Sequence, residues 1–280
     1  MRIVRTVDEL RAWSRANRKE CKTIGLVPTM GALHAGHASL IRAARERCDA
    51  VAVSIFVNPT QFGPNEDFAK YPRTFDADCA LAASLGAEVV FAPAVEELYP
   101  EGAETFVDVE GLSGRLDGAS RPGHFRGVAT VVSKLFIAAE ADLAFFGQKD
   151  AAQVAVLRRM TKDLRLATEI VVCPIVREVD GLALSSRNIY LTAPQRHQAL
   201  ALSRAIGVVE SLVGHGQRNV PTLIEAVEAV FGAEPDVRVD YIVCVDWATL
   251  EPVEAATQGT LFAVAAWVGE TRLIDNTIIG

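Results

Sequence analysis

Cysteine is scarce in this 280-residue sequence and poorly placed for covalent or metal bracing: Cys21, Cys48, Cys79, Cys173 and Cys244 are odd in number and scattered, with no C-x-x-C pair. That spacing argues against a disulfide framework and a cysteine-built zinc site, and reduced thiols are the expectation. No apolar run reaches the roughly 18 residues of a membrane span. The first residues carry Arg2, Arg5, Asp8 and Glu9 where a secretory leader would have its apolar core, so a cytoplasmic protein is expected. Positive charge is also short. Lys+Arg total 28 against 35 Asp+Glu, a formal net charge of −7, which argues against a broad surface for nucleic acid or anionic membrane. Any polyanion must therefore meet local donors. Internal repeats and low-complexity segments are missing as well. What is present is a 50% hydrophobic composition, enough for a sizeable core in one large domain or two smaller ones.

Short β-branched or apolar runs alternate with helical patterns along the first ~175 residues. Strands are expected at Ile24 to Val27, Val51 to Val57, Glu88 to Phe91, Leu143 to Phe146 and Glu169 to Val172. Helices are expected near Ala38 to Cys48, Asp76 to Leu85, Gly127 to Ala139 and Ala151 to Lys162. That rhythm predicts βαβ units in a Rossmann-like, doubly wound parallel sheet of the α/β class. After the polar stretch Arg177 to Asn188 the pattern changes to helices near Pro194 to Val213 and Pro221 to Phe231. Strands then follow near Val237 to Val245, Leu261 to Val268 and Leu273 to Asn276. We therefore expect a domain over residues 1–176 and a smaller C-terminal α+β domain over 177–280.

Three segments carry chemistry-bearing residues. In Pro28-Thr29-Met30-Gly31-Ala32-Leu33-His34-Ala35-Gly36-His37, a strand runs into a helix. Such a turn points unpaired backbone N–H groups outward and adds the positive end of the helix dipole, which favours phosphate. His34 and His37 are three apart, so they face the same way on a first helical turn. By themselves they also read as surface histidines or, less readily, as half of a metal site, since no third ligand has matching spacing. Phe146-Gly147-Gln148-Lys149-Asp150 lies at another strand end, where an open α/β sheet collects ligands; Lys149 is either a phosphate cation or half of a solvated Lys–Asp pair. Asp180-Gly181-Leu182-Ala183-Leu184-Ser185-Ser186-Arg187-Asn188 gathers two hydroxyls and a guanidinium, donors that suit polyphosphate, or else forms an ordinary polar loop.

Together these segments resemble the paired signatures of nucleotidylyltransferases related to class I aminoacyl-tRNA synthetases: a His-x-Gly-His turn early and a Met-Ser-Lys-Ser-like loop late. The likeness tightens with Asn58-Pro59-Thr60-Gln61-Phe62, Tyr71-Pro72-Arg73-Thr74, Arg121 to Val128 and Arg272-Leu273-Ile274-Asp275-Asn276. Seven ordered blocks, end to end, resemble the pantoate–β-alanine ligase family. The resemblance implies ATP-dependent condensation of (R)-pantoate with β-alanine to pantothenate, AMP and diphosphate through a pantoyl adenylate, with Mg²⁺ accompanying ATP and a homodimer formed through the first domain.

It also implies residue roles. Catalytic roles fall to His37, His34, Lys149, Ser185, Ser186 and Arg187. ATP contacts fall to Met30, Gly31, Ala32, Leu33, His34, Ala35, Gly36 and His37 in the turn, to Gly147, Gln148, Lys149 and Asp150, to Val176, and to Leu184, Ser185, Ser186 and Arg187. Gln61 and Gln153 match pantoate contacts, where a side-chain amide can serve both hydroxyls. Met30 and Phe62 are expected as an apolar wall, Asp76 or Asp78 as a metal contact, and Arg121 with His124 on a loop closing over the phosphates. This sequence departs from the common family pattern at Leu184, where methionine is frequent, and at Gln148 and Ala151-Ala152. Two other readings share the His-x-Gly-His turn: adenylyl transfer to a phosphate-bearing acceptor, and an ATP- or metal-binding module without turnover.

Overall fold

The computed structural model describes residues 1–64 and 66–280. In chain order the elements are β1 (Arg2–Val4), α1 (Val7–Lys19), β2 (Ile24–Thr29), α2 (Ala35–Arg47), β3 (Ala50–Ile55), α3 (Phe75–Ser84), β4 (Val89–Phe91), α4 (Val95–Leu98) and α5 (Asp117–Ser120). They continue with α6 (His124–Ala139), β5 (Leu143–Gly147), α7 (Ala151–Asp163), β6 (Glu169–Cys173), α8 (Ala193–Gly214), α9 (Val220–Gly232), β7 (Val237–Asp246), β8 (Thr260–Val268) and β9 (Thr271–Ile278).

The expected α/β class is what the structure shows. Six parallel strands lie in the order β1-β4-β3-β2-β5-β6. Their residues are apolar almost without alternation, as in Ala50–Ile55, because helices cover both faces of a parallel sheet. Register fixes where the strand ends fall: Ile24 pairs with Ala50, Gly25 with Leu143, and Leu143 with Glu169. The order runs outward from β2 through β3 and β4 on one side and through β5 and β6 on the other. The carboxyl end of β2 therefore opens where the strand order reverses, the crevice in which open α/β sheets hold ligands.

The sequence reading missed β1 and α1. A three-residue strand carries no readable periodicity, but α1 was signalled: Thr6 and Glu9 form a capping box, with Thr6 Oγ1 accepting from the Glu9 N–H at 3.2 Å and Glu9 Oε2 accepting from the Thr6 N–H at 3.1 Å.

The C-terminal part is a three-stranded antiparallel sheet, β7-β8-β9, with α8 and α9 supplying a core of Leu202, Ile206, Leu223, Val227 and Phe231 against Phe262 and Val264. By internal contacts the chain divides into two units. One comprises Met1–Gly147 with Val156–Pro174, the other Gln148–Ala155 with Ile175–Gly280. The single boundary expected after residue 176 thus has a second feature beside it, because residues 148–155 cluster with the C-terminal sheet. Trp247 Nε1 donates to the Ala151 carbonyl at 2.9 Å, and Asn276 Nδ2 donates to the carbonyls of Gln148 and Lys149. Among the described residues no helix is long and apolar enough to cross a membrane.

Candidate active site

In the first unit the site is built on the turn that follows β2. Gly31 has φ +87° and Ala32 φ +50°, so two successive residues sit in the left-handed region and the chain reverses sharply into α2. Asp78, 3% exposed on α3, holds that reversal. Its Oδ2 accepts from the Ala32 N–H at 2.9 Å, and its Oδ1 accepts from the Leu33 N–H at 2.8 Å and the Thr74 hydroxyl at 3.0 Å. A Cβ on Gly31 would lie 3.1 Å from Asp78 Oδ2 and 3.2 Å from the Ile55 side chain, so glycine serves both the dihedral and the close approach.

His34 is the N-cap of α2. Its Nδ1 accepts from the Gly36 N–H at 3.1 Å, and His37 Nδ1 accepts from the His34 N–H at 3.3 Å. A ring nitrogen that accepts carries no proton, so in both neutral imidazoles the N–H is on Nε2. The rings lie 4.2 Å apart between centroids, tilted by 39°, and both are half-buried. The spacing read from sequence does bring them together as a pair of donors at a helix N-terminus. Among the described residues no group of three His, Cys, Asp or Glu side chains is arranged to hold a metal. Asp78 spends both oxygens on the turn, and Asp76 is exposed on α3. The donors among the described residues do not fit a protein-built magnesium site.

Beside this turn Gln61 is buried. Its Nε2 donates to Met30 Sδ at 2.9 Å, and its Oε1 accepts from Asn58 Nδ2 at 3.1 Å. Asn58 is anchored in turn by Gly127 O, Thr60 and Tyr99 OH. Gly127 is where α6 meets this segment: a Cβ there would fall 2.3 Å from the Thr60 carbonyl oxygen. Phe62 packs edge-on against Phe68 and Tyr71, at 5.4 and 5.9 Å between centroids.

Arg121 and His124 are tied to the segment that carries Gln61. His124 Nδ1 donates to the Gln61 carbonyl at 2.8 Å, while its Nε2 accepts from Arg121 at 3.1 Å. Arg121 also forks onto Glu66 at 2.8 and 2.5 Å. Burial, with the Arg121 charge adding to it, pushes the His124 imidazole down to about 4, so the ring is neutral as this arrangement requires. Burial works to raise the Glu66 carboxyl, but the Arg121 guanidinium overrides it and leaves the group below the usual carboxylate range. The ties from Arg121 to Glu66 and from His124 to Gln61 join residues 55 and 63 positions apart and leave no local pattern in the sequence.

In the second unit Lys149, on the turn after β5, pairs with Asp150 at 3.3 Å, a half-exposed pair of the kind that contributes little to stability. Gln153 is half-buried on the first turn of α7, and the adjacent Ala151 and Ala152 are buried. Val176 and Leu184 are bridged by the Leu184 N–H donating to the Val176 carbonyl at 2.9 Å, and Gly181, φ +96°, closes the hairpin between them. Ser185 Oγ accepts from the Arg187 N–H at 3.2 Å and starts a 3₁₀ turn over Ser186–Tyr190. Asn188, buried beneath it, donates to Glu178 and to the Ala183 carbonyl. Ser185, Ser186 and Arg187 are thus carried on one loop with a fixed base. The candidate residues divide between the units, with Met30 to His37, Gln61 and Gly147 in the first and Gln148 to Asp150, Gln153, Val176 and Leu184 to Arg187 in the second.

Comparison with known proteins bears on what this constellation does. A family model described as pantoate-beta-alanine ligase matches residues 2–278. A pantothenate synthetase of Koribacter versatilis is 59% identical over 279 residues, covering 100% of this chain and 96% of that protein; one of Acidobacterium capsulatum is 58% identical over 291 residues, covering 100% and 97%. Among solved structures, pantothenate synthetase of Thermus thermophilus superposes with a TM-score of 0.95 at 46% identity, covering 100% of this chain and 99% of that one. The Francisella tularensis pantoate-beta-alanine ligase, solved in complex with β,γ-ATP and β-alanine, superposes with a TM-score of 0.80 at 33% identity over 99% and 97% of the two chains. A histidine turn at the sheet's switch point, a buried glutamine beside it, and likeness running from one end to the other place this chain in the pantoate–β-alanine ligase family of enzymes.

Proposed function

We propose that the protein joins (R)-pantoate to β-alanine in two steps. In the first, a pantoate carboxylate oxygen attacks the α-phosphorus of ATP, the bond to the β-phosphate oxygen breaks, and pyrophosphate leaves. In the second, the β-alanine amine attacks the acyl carbon of the pantoyl adenylate, AMP leaves, and the nitrogen loses a proton. Positioning and charge stabilisation dominate both steps.

The observation that carries this reading is the Met30–His37 turn. Its two imidazoles present Nε2 donors at the N-terminus of α2, where anionic phosphate oxygens are favoured. His34 and His37 donate to the phosphates during the first step, and Lys149, Ser185, Ser186 and Arg187 take up charge as it moves onto pyrophosphate. Backbone groups of Gly147 to Asp150, Val176 and Leu184 to Arg187 receive the nucleotide. Gln61 and Gln153 hold the pantoate hydroxyls, with Met30 and Phe62 against the gem-dimethyl group. Arg121, the cation beside Gln61, is neutralised by Glu66, which favours an acceptor of neutral hydroxyls over a phosphate-bearing one. Mg²⁺ would accompany ATP and would supply neutralisation of phosphate charge. The free cysteines, four of them buried, accord with a cytoplasmic enzyme.

Oxygen-18 in the pantoate carboxylate tests the route. One labelled oxygen is expected in AMP, and pyrophosphate release from ATP and pantoate is expected before β-alanine is added. Unlabelled AMP, or ADP as product, would sink the adenylate. A homodimer formed through the first unit is also inferred, and a monomer mass in sedimentation velocity would refute it.

A further inference from the structure

The Arg272 to Asn276 block has no part in the roles above, yet its last two residues are among the most buried polar side chains of the chain, Asp275 at 1% and Asn276 at 3% exposure. They sit side by side on β9, where Asp275 pairs in register with Val264 and Asn276 with Ala263. Adjacent residues of a strand point to opposite faces, so one strand can hold two different loops.

Asn276 spends its whole side chain on one of them. Nδ2 donates to the Gln148 carbonyl at 3.1 Å and to the Lys149 carbonyl at 2.9 Å, and Oδ1 accepts from Gln148 Nε2 at 3.3 Å. Asp275 serves the other. Its two oxygens take the Arg177 guanidinium in a fork at 2.6 and 3.0 Å, and Arg177 also donates to the Gly181 carbonyl at 3.1 Å. Arg177 directly follows Val176 and pairs as a β-bridge with Ala183, directly before Leu184. A buried carboxylate costs desolvation, and the bidentate fork with its charge-assisted hydrogen bonds offsets that cost.

We propose that Asp275 and Asn276 are positioning residues for nucleotide binding: together they set the backbone of the Gln148–Lys149 turn and of the Val176–Leu184 hairpin. The inference rests on the ATP contacts proposed above for those two segments. Neither residue reaches the ligand; each acts through backbone that does. A shift of about 1 Å in a positioning group costs up to roughly a hundredfold in rate, far more than its share of stability implies.

The test titrates the full-length protein with ATP alone and then measures steady-state kinetics with pantoate and β-alanine, in wild type, Asn276→Ala, Arg177→Lys and Val227→Ala. Val227 is fully buried in the helix–sheet core of the same unit and controls for general loosening. Asn276→Ala is expected to weaken ATP binding by about ten- to a hundredfold and to lower kcat, with the KM for β-alanine unchanged. Arg177→Lys keeps the charge but loses the fork and is expected to weaken ATP several-fold. Val227→Ala is expected to lower Tm without changing ATP affinity. If Asn276→Ala loses no more ATP affinity than Val227→Ala, the positioning role is overturned; should it fail to fold, Arg177→Lys decides by the same comparison. A wild type that binds ATP but releases no pyrophosphate with pantoate refutes the proposed reaction and leaves the affinity comparison decisive. A wild type that does not bind ATP overturns both.

Discussion

Two buried side chains set where the histidine turn and Gln61 of the first unit lie. Asp78 gathers the N–H groups of Ala32 and Leu33, and Asn58 joins Gln61 to α6. Asp78→Asn swaps one acceptor oxygen for a donor that faces a backbone N–H. It is expected to destabilise the protein by about 2–3 kcal/mol in urea unfolding and to slow turnover on the order of tenfold or more, because the histidine turn moves with it. Gly127→Ala places a methyl against the Thr60 carbonyl and Gln61 Cα. The expected outcome is about 1–3 kcal/mol lost to overpacking, with the KM for pantoate raised more than the KM for ATP. Unchanged pantoate KM in a folded Gly127→Ala protein would separate Gln61 from substrate binding. The pairing of His34 with His37 was legible from an i, i+3 spacing. The role of Asp78 was not: it lies 46 positions from Ala32, and in its own helix it reads as a charged face or a metal ligand.

Among the elements, α6 carries a pH dependence. His124 has its folded value pushed from 6.5 to about 4. A group whose folded value is depressed contributes stability above its unfolded value that is lost as pH falls toward the folded one. Between pH 6.5 and about 4 the protein is therefore expected to lose a few kcal/mol through this residue alone, and Glu66, also held low, adds loss in the same direction at the acid end of that range. Urea midpoints across that range should fall less steeply for His124→Asn than for wild type; parallel slopes would remove His124 as the cause. The same scale shows why sequence reading succeeded unevenly. The strands from Ile24 onward and the helices near Pro194 and Pro221 announced themselves through long apolar runs, periodicity and capping residues. The three residues of β1, the four-residue helices α4 and α5, and the Arg121–His124–Gln61 linkage rest on tertiary contacts that leave no local pattern.

For the whole chain, the two units are not two consecutive stretches of sequence. Residues 148–155 cluster with the C-terminal sheet, and 156–174 return to the first unit. A fragment of residues 177–280 would lack the Ala151 carbonyl that takes the Trp247 indole N–H and both carbonyls that take Asn276. It is expected to show poor dispersion in amide NMR spectra and a broad thermal transition, whereas a fragment extended back to Gln148 should be better ordered. A sharp two-state transition for 177–280 would show that the segment is dispensable to the unit's fold.

The tie between Asn276 and the Gln148–Lys149 turn also has an order in time. Those residues are made 128 and 127 positions apart, so at ordinary elongation rates the lysine loop emerges roughly ten seconds before the asparagine that anchors it. Over that interval a nascent chain holds the lysine without its support. A message cut short ahead of Asn276 therefore yields a chain in which nothing from β9 holds the carbonyls of Gln148 and Lys149.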